Sequence, residues 1–133
     1  MKRFVDTNIF IYSATNHPQF GETARQILER IEQSERTVTS TLVLCEIAWV
    51  LEAMGKQNDI KPTLEKILSY KNLEVIGFDQ DDLLLGANNM CLYGVDFNDG
   101  INIAIMTAIG TYEVYSNDHK HLGKIDSLNV IFE

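Results

Sequence analysis

The first strand of the chain and the turn that ends it decide the fold, and they have the sequence Arg3-Phe4-Val5-Asp6-Thr7-Asn8. Phe4 and Val5 favour a strand, and the three polar residues after them favour a turn or the start of a helix. The apolar run that follows predicts a helix over about 9–14. An acid therefore stands where an early strand passes into a helix, which in an open parallel sheet is the edge that binds ligands. A simple helix cap explains Asp6 equally well, so the interpretation depends on other acids at the same edge.

The rest of the chain alternates between helix and strand patterns. Helices are predicted over about 20–31, 41–54, 58–70, 79–93 and 95–109, and strands over 37–39, 73–76, 113–116 and 129–132, with one more helix between the last two strands. Strands separated by helices indicate a parallel sheet that is covered on both faces. We therefore predict a three-layer α/β/α fold with a central parallel sheet of four to five strands. The 133 residues suffice for one domain, 1–133.

The composition predicts a cytoplasmic globular protein. No apolar run is long enough to cross a membrane, and an acid follows the N-terminus too early for a signal peptide. Cys45 and Cys91 lie in apolar helical patterns, so we expect them to be reduced core residues, and Met90 to be a core residue as well.

The acidic charge of the chain limits what it can bind. The formal net charge is −8, and residues 67–133 hold 3 Lys/Arg against 10 Asp/Glu. Such an excess opposes non-specific binding to phosphate backbones. A nucleic-acid substrate therefore requires a local reversal of charge, which bound divalent cations can provide.

Glu46 is the one polar residue in the run 42–51. A helix that is apolar all round is expected to be buried, and a lone carboxylate inside it is costly. Two alternatives would also account for a carboxylate at this position: a structural ion pair with a Lys or Arg, or a solvent-exposed position at the mouth of a pocket. We favour a role as a ligand.

Two later acids occupy comparable positions. Asp99 lies in the first turn of an apolar helix, and Asp118 follows a late strand, at the same sheet edge as Asp6 if the strands are parallel. Asp96 fits a helix cap or a group beside the ligands, and Asn102 lies one turn beyond Asp99 on the same face.

Four converging carboxylates raise each other's pKa values unless a cation is present. A hard divalent cation prefers oxygen ligands, so we expect Mg²⁺ or Mn²⁺; the sequence has no Cys/His set for zinc. A carboxylate-rich site of this kind suits phosphoryl transfer.

Taken in order, the motifs resemble those of the PIN-domain ribonucleases: Val5-Asp6-Thr7-Asn8, Glu46 inside an apolar helix, Asp96-Phe97-Asn98-Asp99, and Ser116-Asn117-Asp118. The resemblance extends over essentially the whole chain. It implies a compact α/β/α fold and metal-dependent cleavage of RNA, with Mg²⁺ or Mn²⁺ bound by the catalytic acids Asp6, Glu46, Asp99 and Asp118. Asn8 and Ser116 are similar to the polar residues that orient the first acid in that family.

The same resemblance implies partners. Many such small proteins are VapC-type toxins of toxin–antitoxin pairs and form homodimers, so RNA, a small antitoxin protein and a second copy are expected. Two positions depart from the family pattern. Gly100 stands where alanine is frequent, which is expected to loosen the start of its helix, and Asn117 stands where an aromatic residue is frequent.

Three other functions remain open from the sequence. A stand-alone RNA-processing PIN nuclease has the same acids and differs in having no antitoxin. A catalytically idle PIN scaffold for protein binding does not require all four acids. A haloacid-dehalogenase-like phosphatase also begins with an acid after its first strand, but its chemistry requires a second Asp two residues later, where this chain has Asn8.

Overall fold

The computed structural model describes residues 2–133, which form five strands and six α-helices. In chain order they are β1 (Arg3–Val5), α1 (Thr7–Ala14), α2 (Gly21–Gln33), β2 (Thr37–Ser40), α3 (Thr41–Ala53), α4 (Gln57–Leu68), β3 (Leu73–Ile76), α5 (Gln80–Tyr93), α6 (Phe97–Ile109), β4 (Glu113–Tyr115) and β5 (Asn129–Ile131). The predicted strands are confirmed, and so are the predicted helices before the fourth strand, with ends that differ by a few residues.

The strands form one sheet in the order β3-β2-β1-β4-β5, and every neighbouring pair is parallel. Helices α1 to α4 pack on one another over one face of the sheet, and α5 and α6 pair on the other. The predicted three-layer α/β/α fold is confirmed, with five strands. Because the chain leaves β1 toward β2 and later returns to β4 on the other side, the carboxyl ends of β1 and β4 flank a switch point, where α/β folds bind ligands.

The core lies on both faces of the central strands. Phe4, Val5, Val38 and Val114 have no exposed surface, and residues 101–106 of α6 are all buried. The apolar pattern of α6 thus predicted its burial correctly. The first half of this helix therefore belongs to the core.

Helix α3 is not buried all round, in contrast to the prediction. It packs inward through Leu42, Val43 and Ile47, whereas the side chain of Trp49 is 54% exposed. Cys45, on the outer side, is exposed too, and so is Cys91 on α5, so the prediction that both cysteines are core residues was wrong. An apolar helix in an outer layer still has one side that no other part of the described chain covers.

Helix α5 turns an unexpected face inward. Its leucines and Met90 are exposed, with Leu84 at 69%, and Gly86 is its one buried residue. A Cβ atom built on Gly100 would lie 2.3 Å from the carbonyl oxygen of Gly86, so α5 and α6 approach closely at these two glycines. The helical periodicity predicted that the apolar face of α5 is buried, but the face that contains Gly86 packs against α6 at the close crossing. Gly100 therefore allows close packing of the two helices, a role that the sequence did not reveal.

The connection between β4 and β5 contains no α-helix, also in contrast to the prediction. It has a single 3₁₀ turn at Leu122–Lys124, and buried Leu122 and Ile125 anchor it. None of the helices that residues 2–133 form has the length and apolar character that a membrane crossing requires.

Candidate active site

The four acids predicted as ligands line one cavity of about 290 Å³ at the carboxyl edge of the sheet: Asp6, Glu46, Asp99 and Asp118. They come from the end of β1, the middle of α3, the first turn of α6 and the loop after β4. Asp96 and Asn8 line the same cavity, together with the apolar side chains of Ile11 and Val50. The fold thus brings together acids that are up to 112 residues apart in sequence, as 118 minus 6 gives.

Asp6 is held by hydrogen bonds on both carboxylate oxygens. Oδ1 accepts from the Thr7 backbone N–H at 2.8 Å, which caps α1, and Oδ2 accepts from Ser116 Oγ at 2.7 Å and from Asn8 Nδ2 at 3.4 Å. Asp6 is therefore both a helix cap and a wall of the cavity. Burial, more than neighbouring Asp118, raises the pKa of this carboxyl above its ordinary value, although the Ser116 and Thr7 hydrogen bonds oppose the rise.

Asn8 and Ser116 tie the two strand ends together, as their resemblance to supporting residues suggested. Asn8 Nδ2 donates to Ser116 Oγ at 3.0 Å, and Asn8 Oδ1 accepts from the Asn117 backbone N–H at 3.1 Å. Ser116 Oγ also accepts from the Asp118 backbone N–H at 3.0 Å. One serine hydroxyl thus contacts the acid after β1 and the backbone of the acid after β4.

Glu46 points from α3 toward the start of α1. Its Oε1 accepts from Thr7 Oγ1 at 3.1 Å. Burial and then the charge of Asp6 raise the pKa of Glu46 to about 7. No Lys or Arg forms an ion pair with Glu46 among residues 2–133. The alternative of a structural ion pair is thus not supported.

Asp99 lies in the first turn of α6, where Asp96 is the N-cap and accepts from the Asp99 backbone N–H at 2.8 Å. Asp96 is therefore a cap that also faces the cavity, as predicted. Burial and then the charges of Asp6 and Asp96 raise the pKa of Asp99 to about 8. A helix N-terminus favours negative charge, so burial and crowding outweigh the helix dipole here.

Asp118 lies in the loop after β4 and is partly exposed. Its Oδ1 accepts from the His121 backbone N–H at 2.9 Å and lies 3.1 Å from His121 Nδ1. The side chain of Asp118 is 23% exposed. The loop thus presents this carboxylate at the rim of the cavity.

The donor set suits a hard divalent cation, because every charged group in the cavity is a carboxylate and the neighbouring polar groups carry oxygen or amide nitrogen. No three Asp, Glu, His or Cys side chains among residues 2–133 already stand at coordinating distances around one point. The acids surround the cavity and do not meet in it. Binding an ion therefore requires side-chain rotations, and a bound cation would relieve the repulsion between the carboxylates.

Sequence reasoning missed Thr7 and Ser40. Thr7 Oγ1 donates to Glu46, and Ser40 Oγ donates to the predicted supporting residue Asn102 at 2.7 Å. Each of the two stands beside a predicted acid or at a helix start, where a capping role explains a polar residue completely. Only the tertiary contacts separate the two roles.

Fold and cavity together define an α/β/α domain with a carboxylate site at its switch point. Residues 3–127 match the PIN domain family, and the chain belongs to that family. A phosphatase of the haloacid-dehalogenase type is thereby excluded. No curated protein gives a significant match.

Solved structures with the same fold include several toxin–antitoxin proteins. VapC20 of Mycobacterium tuberculosis, a toxin that cleaves the sarcin–ricin loop, is 18% identical, with a TM-score of 0.78 over 92% of this chain and 94% of that one. VapBC2 of Rickettsia felis is 21% identical, with a TM-score of 0.73 over 98% of both chains. VapBC of Salmonella typhimurium is 19% identical, with a TM-score of 0.71 over 98% of both. At this identity the likeness establishes the fold.

Proposed function

We propose that this protein is a divalent-metal-dependent endoribonuclease that hydrolyses RNA phosphodiester bonds, and that it is the toxin of a VapBC-type pair. The observation that carries the proposal is the single cavity lined by Asp6, Glu46, Asp99 and Asp118. Membership of the PIN-domain family supports it, and so do the toxins that share the fold. All four acids are present, which argues against an idle scaffold.

The residues of the chain prepare the site for Mg²⁺ or Mn²⁺. Asp6, Glu46, Asp99 and Asp118 would hold the ion, and the ion would supply charge neutralisation at the phosphate and a water of lowered pKa. Ser116 and Asn8 fix the Asp6 carboxylate, and Thr7 fixes Glu46. Because the cavity is so acidic, a phosphodiester can enter only after the carboxylate charge has been offset.

RNA cleavage by matched variants tests the proposal. We expect wild type to cleave RNA with Mn²⁺ or Mg²⁺ and to lose the activity with a chelator. Glu46→Gln and Asp99→Asn should each lower the rate by at least about 100-fold, whereas Glu52→Gln, an exposed acid on the same helix as Glu46, should not. Activity that survives both the chelator and the two site variants, each purified in parallel with wild type, contradicts the proposal.

A small antitoxin protein is the proposed partner, as in the toxin–antitoxin complexes that share the fold. The cavity attracts a basic side chain, because five acids, the four ligands and Asp96, line it and no Lys or Arg does. An antitoxin tail with a Lys or Arg that enters the cavity would compete with the metal ion. Co-expression with the product of the adjacent gene tests this, since a stand-alone nuclease would bind no such product.

We propose that the protein is a homodimer in the cytoplasm, built as one nuclease domain over 1–133. Exposed apolar side chains on two outer helices support the dimer, because a second copy of the chain would cover them. They are Trp49, Val50 and Met54 on α3, and Leu84, Leu85 and Leu92 on α5. Light scattering should give twice the chain mass for wild type and a single mass for Leu84→Glu. A monomeric wild type at micromolar concentration contradicts the dimer.

A further inference from the structure

A buried hydrogen bond joins the two helical layers below the acid cavity. Ser40 Oγ donates to Asn102 Oδ1 at 2.7 Å, and Ser40 is fully buried while Asn102 is 4% exposed. Ser40 ends β2 and caps α3, where its Oγ accepts from the Val43 backbone N–H at 3.1 Å. Asn102 belongs to α6, on the opposite face of the sheet. The bond therefore links the start of α3 to α6 through the edge of the sheet.

Asn102 is an expensive residue at this position. Its Nδ2 is buried and has no hydrogen-bond partner among residues 2–133, and the residues on either side, Ile101 and Ile103, are core residues. An unpaired buried amide group destabilises the folded state, and an apolar side chain of similar size would not. Residues that break the core pattern without a gain in stability are found mainly at functional sites.

The two partners stand close to two of the acids along their helices. Glu46 lies six residues after Ser40 in α3, and Asp99 lies three residues before Asn102 on the same face of α6. The bond thus joins the two helices that carry Glu46 and Asp99.

We propose that Ser40 and Asn102 are positioning residues, whose buried hydrogen bond sets the spacing of Glu46 and Asp99 and so the affinity of the cavity for a divalent cation. The inference deepens the proposed function and rests on it, because the ligand is the metal ion of that site. Groups that orient metal ligands typically change metal affinity by about 10- to 100-fold when they are removed.

Asn102→Leu separates positioning from simple packing. Calorimetric titration with Mn²⁺ and no RNA should show affinity about tenfold or more below that of wild type. The melting temperature without metal should stay within about 4 °C of wild type, because removing the unpaired amide is offset by the Ser40 hydroxyl, which loses its acceptor. Thr107→Val is the matched control on α6, since Thr107 Oγ1 bonds only the Ile103 carbonyl of its own helix, and it should bind Mn²⁺ as wild type does.

A double-mutant cycle completes the test. Ser40→Ala should also weaken Mn²⁺ binding, and it removes the cap of α3 as well. The double variant with Asn102→Leu should bind no more weakly than Ser40→Ala, because the Ser40–Asn102 bond is already lost in that single variant. If leucine prevents folding, Asn102→Ala gives the same comparison. Unchanged Mn²⁺ affinity in the folded variants, or additive losses, overturns the inference alone. A wild type that binds no Mn²⁺ overturns the proposed function as well.

Discussion

Replacing Gly100 with alanine adds one methyl group at the place where α5 and α6 cross. The new Cβ atom would lie 2.3 Å from the backbone oxygen of Gly86, against 3.4 Å for ordinary contact. The atoms that the new methyl group meets all belong to the backbone of Gly86. No side-chain rotation can relieve the contact, so the helices must separate by roughly 1 Å. Overpacking of this kind costs about 1–3 kcal/mol, and the better helix propensity of alanine returns up to about 1 kcal/mol. We therefore expect a net loss of about 1–2 kcal/mol.

The assay for this prediction is thermal unfolding of the metal-free protein. For a chain of this length a loss of that size lowers the melting temperature by about 3–8 °C. Gly77→Ala is the control, because a Cβ atom there meets nothing within 4 Å, and its melting temperature should stay within about 2 °C of wild type. If Gly100 merely loosened its helix, alanine would stabilise the protein. A melting temperature for Gly100→Ala at or above that of wild type would refute the close-crossing account.

Three further predictions concern the acids and their supports. With a chelator present, the melting temperature measured by scanning fluorimetry should fall as the pH rises from about 5 to 8.5. The pKa values of about 7 for Glu46 and about 8 for Asp99 lie above those of the unfolded chain, and such groups stabilise the fold only while they are protonated. A melting temperature that stays constant or rises over this pH range contradicts the repulsion between the acids. Asp99→Asn should reduce that fall and be more stable than wild type at pH 8 without metal, and equal stability at that pH would show that burial of the charge is not costly. Ser116→Ala should lower the RNA cleavage rate by about 10- to 100-fold, because Asp6 loses its shortest hydrogen bond. Ser116→Thr keeps the hydroxyl group and should retain most of the rate. Similar losses of rate in both variants would indicate a packing defect.

Strand and helix order were predictable because the chain obeys local rules. Asp79, Ser40 and Asp96 start helices as N-caps, and Gly94 and Gly110 end them in the left-handed conformation. Alternation of these elements dictates a parallel sheet and hence its carboxyl edge. The positions of Asp6 and Asp118 at one edge follow from that alone.

The face that each outer helix buries was not predictable from periodicity. Apolar residues lie on both the inner and outer sides of α3, and the outer side includes Trp49. In α5 the inward face is set by Gly86, whose contact with Gly100 involves residues 14 positions apart, as 100 minus 86 gives. A one-dimensional pattern does not contain the neighbouring helix, so it assigns every apolar face to the core.

Within the site, the acids stood out because a charge inside an apolar pattern needs an explanation. Their supports did not stand out, because serine, threonine and asparagine at helix starts are common caps. Ser40 is a cap and also a partner of Asn102. The second role exists only in the tertiary structure.

Titration of the purified protein with Mn²⁺ near pH 7.5 tests most directly whether acids from separate parts of the chain form one cation site. Wild type should bind one or two ions per chain and be stabilised against heat by them. Asp6→Asn and Asp99→Asn, whose residues come from β1 and α6, should each abolish this binding, whereas Glu52→Gln should leave it intact. A wild type that binds no Mn²⁺, or binding that persists in both site variants, would contradict the account.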